Sequence, residues 1–525
     1  MRLYWGRMRK KSLKQNTFIL TVAGFIVKLL GFFYRIFIAN SIGAEGMGLY
    51  QLVLPVYSLI LLGLTAGVGI AISRLVAEET ARGNYKNAKR IAVISGVSIF
   101  IAGTIIVFIL MLNLDFIVNI LVGDARTKSA LYYLLPSIPL IAALTSLKGY
   151  FYGKQEVVPN AISQVVEQVI KLVVVYLIAD IFVYRNMEQK CLFATIGLIA
   201  GEIANVLTVY IAFRIRKADK PLPNQRIMRK RDILKKVLGI SLPITTNRLV
   251  LSLLGTVEFL WIPQRLSVYG LSSTEALTQY GKLTGMASPI ISFPSMLTAA
   301  LATALVPAIA EAIATRKRNK ANRQISRSIR VTLVLGFLFS SIFICFAYEI
   351  SDLIYPGQNV GHMLYLLSFT GVFFYLQQTL LGILNGLGKE TATLKHSMIS
   401  SLIRLGFVWF GIPYFGLSAY IIALIISNLV GAILNMNTVI KNTGMSLEVG
   451  DWIIKPLVAS VSGIIAAPII KIAIGSVFKS PMIILLLSTG LSGGLMIAML
   501  ILMGVFEIKD IRHMVPFSID KYRKI

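Results

Sequence analysis

The segment LTAGVGIAISRLVAEETA (64–81) returns later in the chain as LTAALATALVPAIAEAIA (297–314), shifted by 233 positions. The identical residues of the first copy are Leu64, Thr65, Ala66, Ala71, Ala77, Glu78 and Ala81. The same shift places Gly149 on Gly382, Gly153 on Gly386 and Lys171 on Arg404. A constant shift across several apolar runs predicts that the chain contains a duplicated structural unit.

Composition identifies the surroundings of that unit. Hydrophobic residues make up 56% of the 525 residues and charged residues only 14%, with a mean hydropathy of +0.76. Soluble domains carry about 25% charged residues, and a helix of about 20 apolar residues crosses a bilayer. We therefore predict an all-α integral membrane protein of about fourteen transmembrane helices. The predicted spans are 16–39, 47–72, 91–112, 129–152, 157–182, 191–213, 237–262, 279–310, 329–349, 361–387, 394–413, 416–440, 452–476 and 481–506.

The shift of 233 positions corresponds to six of these spans. An even number of spans preserves orientation, so the two copies are predicted to be parallel repeats, which is a transporter architecture. The predicted domains are a six-helix lobe over 1–225, a second over 226–440, and helices 13–14 with a cytoplasmic tail over 441–525.

Lysine and arginine are distributed unevenly between the two sides of the predicted membrane. If the N-terminus is cytoplasmic, 39 of the 52 lie in cytoplasmic segments or at the span ends that adjoin them, 6 lie in outer loops, and the other 7 lie deeper within spans. This positive-inside bias predicts a multi-pass plasma-membrane protein with both termini in the cytoplasm. It also explains most of the net charge of +29. We therefore expect contact with membrane lipids and no nucleic-acid partner.

Several cations fall inside predicted spans, where an ionisable residue normally faces a cavity or a partner. Lys28 and Arg35 are seven residues apart and share one face of the first helix. Arg248 is the centre of a polar stripe on the seventh helix, formed with Ser241, Thr245 and Ser252. The predicted substrate-binding residues are Lys28, Arg35, Arg248, Lys282 and Arg404.

Acidic residues are scarce at the same depths. Glu167 and Lys171 have i, i+4 spacing, so a structural ion pair is as good an interpretation as a substrate contact. Glu202 and Glu258 are candidates for proton or cation coupling or for packing. The cavity is thus expected to be net positive, which suits a polyanion such as a pyrophosphate.

Features of catalytic proteins are missing from the sequence. Cys191 and Cys345 lie in separate apolar runs, and the three histidines have no metal-ligand spacing. A phosphate-binding loop of the Walker type is also absent. We therefore expect no metal, no cofactor and no catalytic residue.

Five segments carry a family resemblance: LLGFFYRIFIANSIGAEGMGLYQLVLP (29–55), AISRLVAEETARGNY (71–85), LKGYFYGKQEVVPNAISQVVEQVIK (147–171), SLPITTNRL (241–249) and QYGKLTGMASPIISFPSMLTAALATALVPAIAEA (279–312). With them the chain resembles the stage V sporulation protein B branch of the MOP flippase superfamily. The resemblance implies a V-shaped, MATE-like alternating-access transporter with a cationic cavity for a lipid-pyrophosphate-sugar headgroup. Lys28 matches an arginine of the lipid II flippases, whereas Tyr34–Arg35 stands where they have an Arg–Asp pair.

The expected function is to flip a lipid II-like undecaprenyl-pyrophosphate sugar to the outer leaflet, for spore cortex peptidoglycan. Cell-wall synthesis proteins are possible partners. Alternatives are a flippase for another lipid-linked polysaccharide unit, a cation-coupled multidrug antiporter, or a membrane glycosyltransferase. An antiporter for cations needs acids in mid-membrane, and a glycosyltransferase needs acids on sizeable outer loops, which are short here.

Overall fold

The computed structural model describes residues 13–182, 185–216 and 227–505. These residues form helices joined by short connections, and no β-strand occurs among them. The all-α class predicted from the sequence is confirmed.

Sixteen longer helices are numbered here in chain order. They are α1 (Leu13–Thr65), α2 (Val68–Ala81), α3 (Tyr85–Leu112), α4 (Ile138–Gly153), α5 (Val158–Phe182), α6 (Met187–Ile215), α7 (Lys230–Val268), α8 (Ser273–Gly281), α9 (Ser295–Ala314), α10 (Arg318–Ile354), α11 (Gly361–Ser368), α12 (Gly371–Gly386), α13 (Glu390–Gly406), α14 (Leu417–Thr443), α15 (Lys455–Val477) and α16 (Pro481–Leu502). Short helical segments join some of them: Leu114–Phe116, Ile117–Val122, Ala125–Thr127, Lys128–Leu134, Leu135–Ser137, Lys282–Ala287, Ser288–Ser292, Phe407–Gly411, Ile412–Phe415 and Gly450–Ile454.

Helical segments occupy all fourteen predicted spans. Within the described ranges, eleven helices are long and apolar enough to cross a membrane, or twelve if a bent pair forms one span. The first, Ile19–Ala81, has 63 residues. At 1.5 Å per residue it would reach roughly 95 Å, against about 30 Å of hydrocarbon. Its backbone leaves the helical conformation at Gly43, which lies between two predicted spans. The count of fourteen stays a prediction.

The chain divides into two compact units. The first contains the described residues up to Met286 together with Leu405–Leu417. The second contains Ala287–Arg404 and the described residues from Ser418 onward. This division does not test the predicted domains, so the two six-helix lobes and the C-terminal helix pair stay a prediction.

The duplicated unit is visible in the helix contacts inside each unit. In the first, α4 lies so close to α2 that a Cβ on Gly149 would be 2.9 Å from the carbonyl oxygen of Gly69. In the second, α12 lies equally close to α9, because a Cβ on Gly382 would be 2.6 Å from Cβ of Ala302. The residues of the second pair are those of the first shifted by 233 positions. The residues that repeat in the sequence therefore make the same helix–helix contact in both units.

The next turn of the same helices repeats the correspondence. A Cβ on Gly153 would be 2.5 Å from the carbonyl oxygen of Ser73, and one on Gly386 would be 3.1 Å from that of Val306. These positions also differ by 233. Small residues that allow such close backbone approach are typical of helix interfaces in membranes.

Another close approach holds α8 against α1. A Cβ on Gly281 would be 1.9 Å from the carbonyl oxygen of Ala44, and one on Gly48 would be 2.2 Å from that of Leu277. Each helix therefore contributes one glycine, and the backbone of the other helix occupies the space that a side chain would need there. Any larger residue must separate the two helices.

We expect Gly281→Ala to destabilise the protein by about 2 kcal/mol, because the added methyl group overlaps a backbone atom that cannot rotate away. The thermal unfolding midpoint of the purified protein measures the loss. Gly239→Ala on α7 is the matched control, since nothing lies within 4 Å of its added methyl group. An equal midpoint for the two variants would contradict this packing.

Candidate substrate cavity

A cavity of about 670 Å³ opens in the first unit between the end of α1, α2, α4 and α7. Three cationic side chains line it: Arg74 of α2, Lys148 of α4 and Arg248 of α7. The described lining contains no aspartate and no glutamate. We call it the cationic cavity.

Arg248 reaches this cavity because α7 is held against the break between α1 and α2. The break contains Gly67, whose backbone N–H donates to the Oγ1 of Thr245 at 3.0 Å. Ser241 lies one turn before Thr245 on α7. A Cβ on Gly67 would be only 2.1 Å from the carbonyl oxygen of Ser241. Ser241 and Thr245 of the predicted polar stripe are thus buried in a helix contact, whereas Arg248 lines the cavity.

Lys148 is placed by the close contact of α4 with α2, since it directly precedes Gly149. Its side chain is half-buried, and its ammonium has no hydrogen bond or ion pair with a described residue, although its backbone carbonyl accepts from Nδ2 of Asn160 at 3.1 Å. Glu167 and Glu202 are near enough to act on it electrostatically. A cation in this position needs an anionic partner to offset its desolvation.

Arg74 completes the cationic lining of the cavity. Its Nε donates to Glu78 at 3.1 Å, within one turn of α2. The side chains are 67% and 42% exposed, so the pair contributes little and leaves Arg74 available to a ligand.

The other predicted cations do not line this cavity. Lys28 is exposed and Arg35 half-buried on α1, and Lys282 is half-buried at the start of a π-helical turn. Arg404 belongs to the second unit, where its Nη2 donates to the hydroxyl of Ser401 at 3.1 Å. The structure thus brings Arg248 together with Lys148 and Arg74, and a substrate-binding role for Arg248 and for the other four stays a prediction.

Glu167 and Lys171 form an ion pair within α5, on the face that contacts α6. Lys171 is buried, and its ammonium donates to Oε1 of Glu167. The other carboxylate oxygen accepts from Nδ2 of Asn205 at 2.7 Å. Gly201 gives the lysine stem its space, since a Cβ there would be 2.3 Å from Lys171 Cγ. With both oxygens of Glu167 in use, the geometry favours the structural interpretation.

The remaining acids are not among the residues that line the cationic cavity. Glu202 is half-buried on α6 within electrostatic reach of Glu167, Lys171 and Lys148, and Glu258 is buried on α7. Their roles in coupling or packing stay a prediction. In the described part of the chain, no three His, Cys, Asp or Glu side chains come together as metal ligands would.

Two cationic residues of the cavity are not among the substrate-binding residues predicted from the sequence. Arg74 and Lys148 both lie where predicted spans meet cytoplasmic connections, a position typical of charges that set topology. One signal was present: Lys148 directly precedes the first of the two repeated glycines of α4. A cation beside a close helix contact has less freedom to reach solvent.

Comparison with known proteins places this fold in a family. The family model described as "Polysaccharide biosynthesis protein" matches residues 13–313, and the MatE model matches residues 268–410. Stage V sporulation protein B of Bacillus subtilis (strain 168) is 30% identical over 469 residues, which is 88% of this chain and 90% of that protein. The chain belongs to the stage V sporulation protein B branch of the MOP flippase superfamily.

Other members of the MOP superfamily show the same fold. Lipid II flippase MurJ of Bacillus subtilis is 26% identical over 219 residues, 39% of this chain and 40% of its own length. A solved structure of lipid II flippase MurJ in an inward closed conformation has a TM-score of 0.67, with 14% identity over 92% of this chain and 98% of that one. An inward-facing MATE family multidrug transporter has a TM-score of 0.64, with 17% identity over 80% and 96%. This MOP member is a multi-pass membrane transporter and not an enzyme.

We expect Glu167→Gln to lower the free energy of unfolding by about 3 kcal/mol, because it leaves the ammonium of Lys171 without its carboxylate. The double variant Glu167→Gln with Lys171→Met removes both charges and should recover most of the loss. Thermal unfolding of the purified variants measures both effects. A stable double variant that transports normally supports the structural role, whereas a stable one that has lost transport would indicate coupling.

Proposed function

We propose that this transporter flips a lipid-linked cell-wall precursor and that the cationic cavity holds the pyrophosphate of its headgroup. The observation that carries the proposal is the lining of that cavity, which has three cations and no acid among the described residues. A net-positive cavity favours an anionic ligand over a cationic one.

The three side chains suit the oxygens of a pyrophosphate. Arg74 and Arg248 present planar guanidinium groups, which bind phosphate oxygens in bidentate fashion. Lys148 contributes a compact charge that is half-buried and has no ion pair with a described residue. A bound polyanion would neutralise Lys148, so binding would relieve a desolvation cost already present in the protein.

The rest of the transport cycle follows from this binding mode. The headgroup enters from the cytoplasmic side, where both termini are proposed to lie, and the lipid tail stays in the bilayer. Alternating access of the two proposed lobes, 1–225 and 226–440, then exposes the headgroup outside. Lys28, Arg35, Lys282 and Arg404 are proposed as further contacts for the headgroup along its path.

The proposed cargo is lipid II in the plasma membrane, destined for spore cortex peptidoglycan. The names of two relatives support this choice, since one is a stage V sporulation protein and the other a lipid II flippase. Other lipid-linked polysaccharide units share the same pyrophosphate and would fit the same cations. Cell-wall synthesis proteins are proposed partners.

A multidrug antiporter is the alternative that the structural neighbours raise. An export site for organic cations would need carboxylates to bind them. The cationic cavity has none among its described lining residues, which favours the flippase over the antiporter.

The test uses cells depleted of their own lipid II flippases, in which an externally added lipid II-cleaving enzyme reports outer-leaflet lipid II. Wild type should restore exposure, and Lys148→Gln with Arg248→Gln should reduce it about tenfold or more, because each removes a charge-assisted contact. Lys86→Gln is the matched control, since Lys86 is exposed and lies outside the cavity.

Equal exposure with the double variant and wild type, at equal membrane levels, would refute the site but leave the function standing. No exposure with well-expressed wild type would refute lipid II as cargo. Mass spectrometry of co-purified lipids would then identify the lipid-linked glycan.

A further inference from the structure

A second cavity of about 540 Å³ lies in the first unit. Its walls come from residues 51–58 of α1 and 252–259 of α7, with Leu198 and Tyr280 closing the sides. The volume is within the roughly 300–1,000 Å³ of small-molecule sites. Asp, Glu, Lys, Arg and His are all absent from its described lining, so we call it the neutral cavity.

A proline builds the α1 wall of the neutral cavity. Pro55 has no N–H, so the carbonyl of Gln51 loses its helical donor. The hydroxyl of Tyr280 replaces that donor at 3.3 Å. One turn later, the hydroxyl of Thr256 donates to the carbonyl of Pro55 at 3.4 Å. These two hydrogen bonds tie α1 to α8 and α7 beside the neutral cavity.

The side chain of Gln51 is left with an unused donor. It is only 8% exposed, it lines the neutral cavity, and its Nε2 has no hydrogen-bond partner among the described residues. A buried donor without an acceptor is costly, and native structures seldom retain one without a reason. A turn of the side-chain amide would bring Nε2 toward the cavity, where a ligand oxygen would supply the missing acceptor.

The neutral cavity follows the cationic cavity along the same two helices. On α1, Ser58 lines the neutral cavity and Leu62 the cationic one. On α7, Ser252 lines the neutral cavity and Arg248 the cationic one. Both pairs are four residues apart, about 6 Å of helix. One extended molecule can therefore occupy both cavities, with its charged part at Arg248.

We propose that the neutral cavity is the sugar subsite of the transporter and binds the uncharged ring attached to the pyrophosphate. This inference rests on the proposed function. Hydroxyl and amide groups of Gln51, Ser58 and Ser252 can bond to sugar hydroxyls, and the rings of Tyr57 and Phe259 offer surfaces for its C–H faces. A phosphate would be disfavoured here, because nothing in the lining compensates its charge.

The experiment compares two lipids that share tail and pyrophosphate, undecaprenyl pyrophosphate and lipid II. Their affinities for the full-length protein in nanodiscs are measured by native mass spectrometry. Gln51→Leu should weaken lipid II binding about three- to tenfold, the effect of one lost hydrogen bond, and leave undecaprenyl pyrophosphate unchanged. Arg248→Gln should weaken both lipids by the same factor.

Ser252→Ala provides a second variant, because Ser252 is less buried than Gln51 and its loss places little strain on folding. Thr246→Ala is the matched control: it is exposed on the same helix, bonds only within that helix, and lines neither cavity. Thermal unfolding checks that each variant is folded. If Gln51→Leu fails to fold, the Ser252→Ala result decides.

The failures of the two proposals are distinguishable. If folded variants of the neutral cavity bind both lipids as wild type does, the sugar subsite is refuted and the flippase proposal stands. If both lipids weaken equally in those variants, the neutral cavity does not distinguish the sugar and the subsite is again refuted. If wild type binds neither lipid, the proposed function fails and the subsite fails with it.

Discussion

Contact of one helix backbone with another, through glycine, is the constraint on which the rest of this structure depends. Lipid is as apolar as a leucine side chain, so helices in a membrane gain little by burying apolar surface against each other. They gain instead from close packing, and Gly149 and Gly153 bring α4 onto α2 with no side chain between them. The same contact recurs at Gly382 and Gly386. The two copies of the duplicated unit therefore share a helix–helix contact as well as a hydropathy pattern.

The two lysines that lie within this helix packing differ in their surroundings. The difference is whether a carboxylate lies within hydrogen-bonding distance of the ammonium. Lys171 meets a carboxylate one turn away and a glycine on α6 that makes room for its stem, so its charge is neutralised within the protein. Lys148 is half-buried, has no ion pair with a described residue, and lines a cavity that Arg248 also lines. Glu167 and Glu202 act on it only from a distance, so an anionic ligand in the cavity would neutralise its charge more fully.

Much of the fold could be predicted from the sequence, because lipid forces apolar segments of sufficient length into helices. The repeat was also readable, since the glycines must persist wherever the contact persists. The residues that line the cationic cavity could not be predicted from the sequence. Gly67 and Thr245 are far apart in sequence, and their contact, which brings Arg248 to Lys148, leaves no periodic trace. The positive-inside pattern gives Arg74 and Lys148 the same meaning as any cation in a cytoplasmic loop. Only the tertiary structure distinguishes these two cavity residues from the loop cations.

The two cavities differ in what each can recognise. Cations attract any pyrophosphate, so in the proposed function Arg248 and its neighbours would supply affinity that depends little on the sugar attached. Discrimination between cargoes needs groups whose desolvation is compensated by one ligand and not by another, as at sites that hydrogen-bond a substrate hydroxyl. Gln51 has such a group, since its buried Nε2 lacks an acceptor. Gln51 and Ser58 flank Pro55 on α1, and hydrogen bonds from Tyr280 and Thr256 hold this segment, so the same segment of α1 carries both polar groups that would contact a sugar.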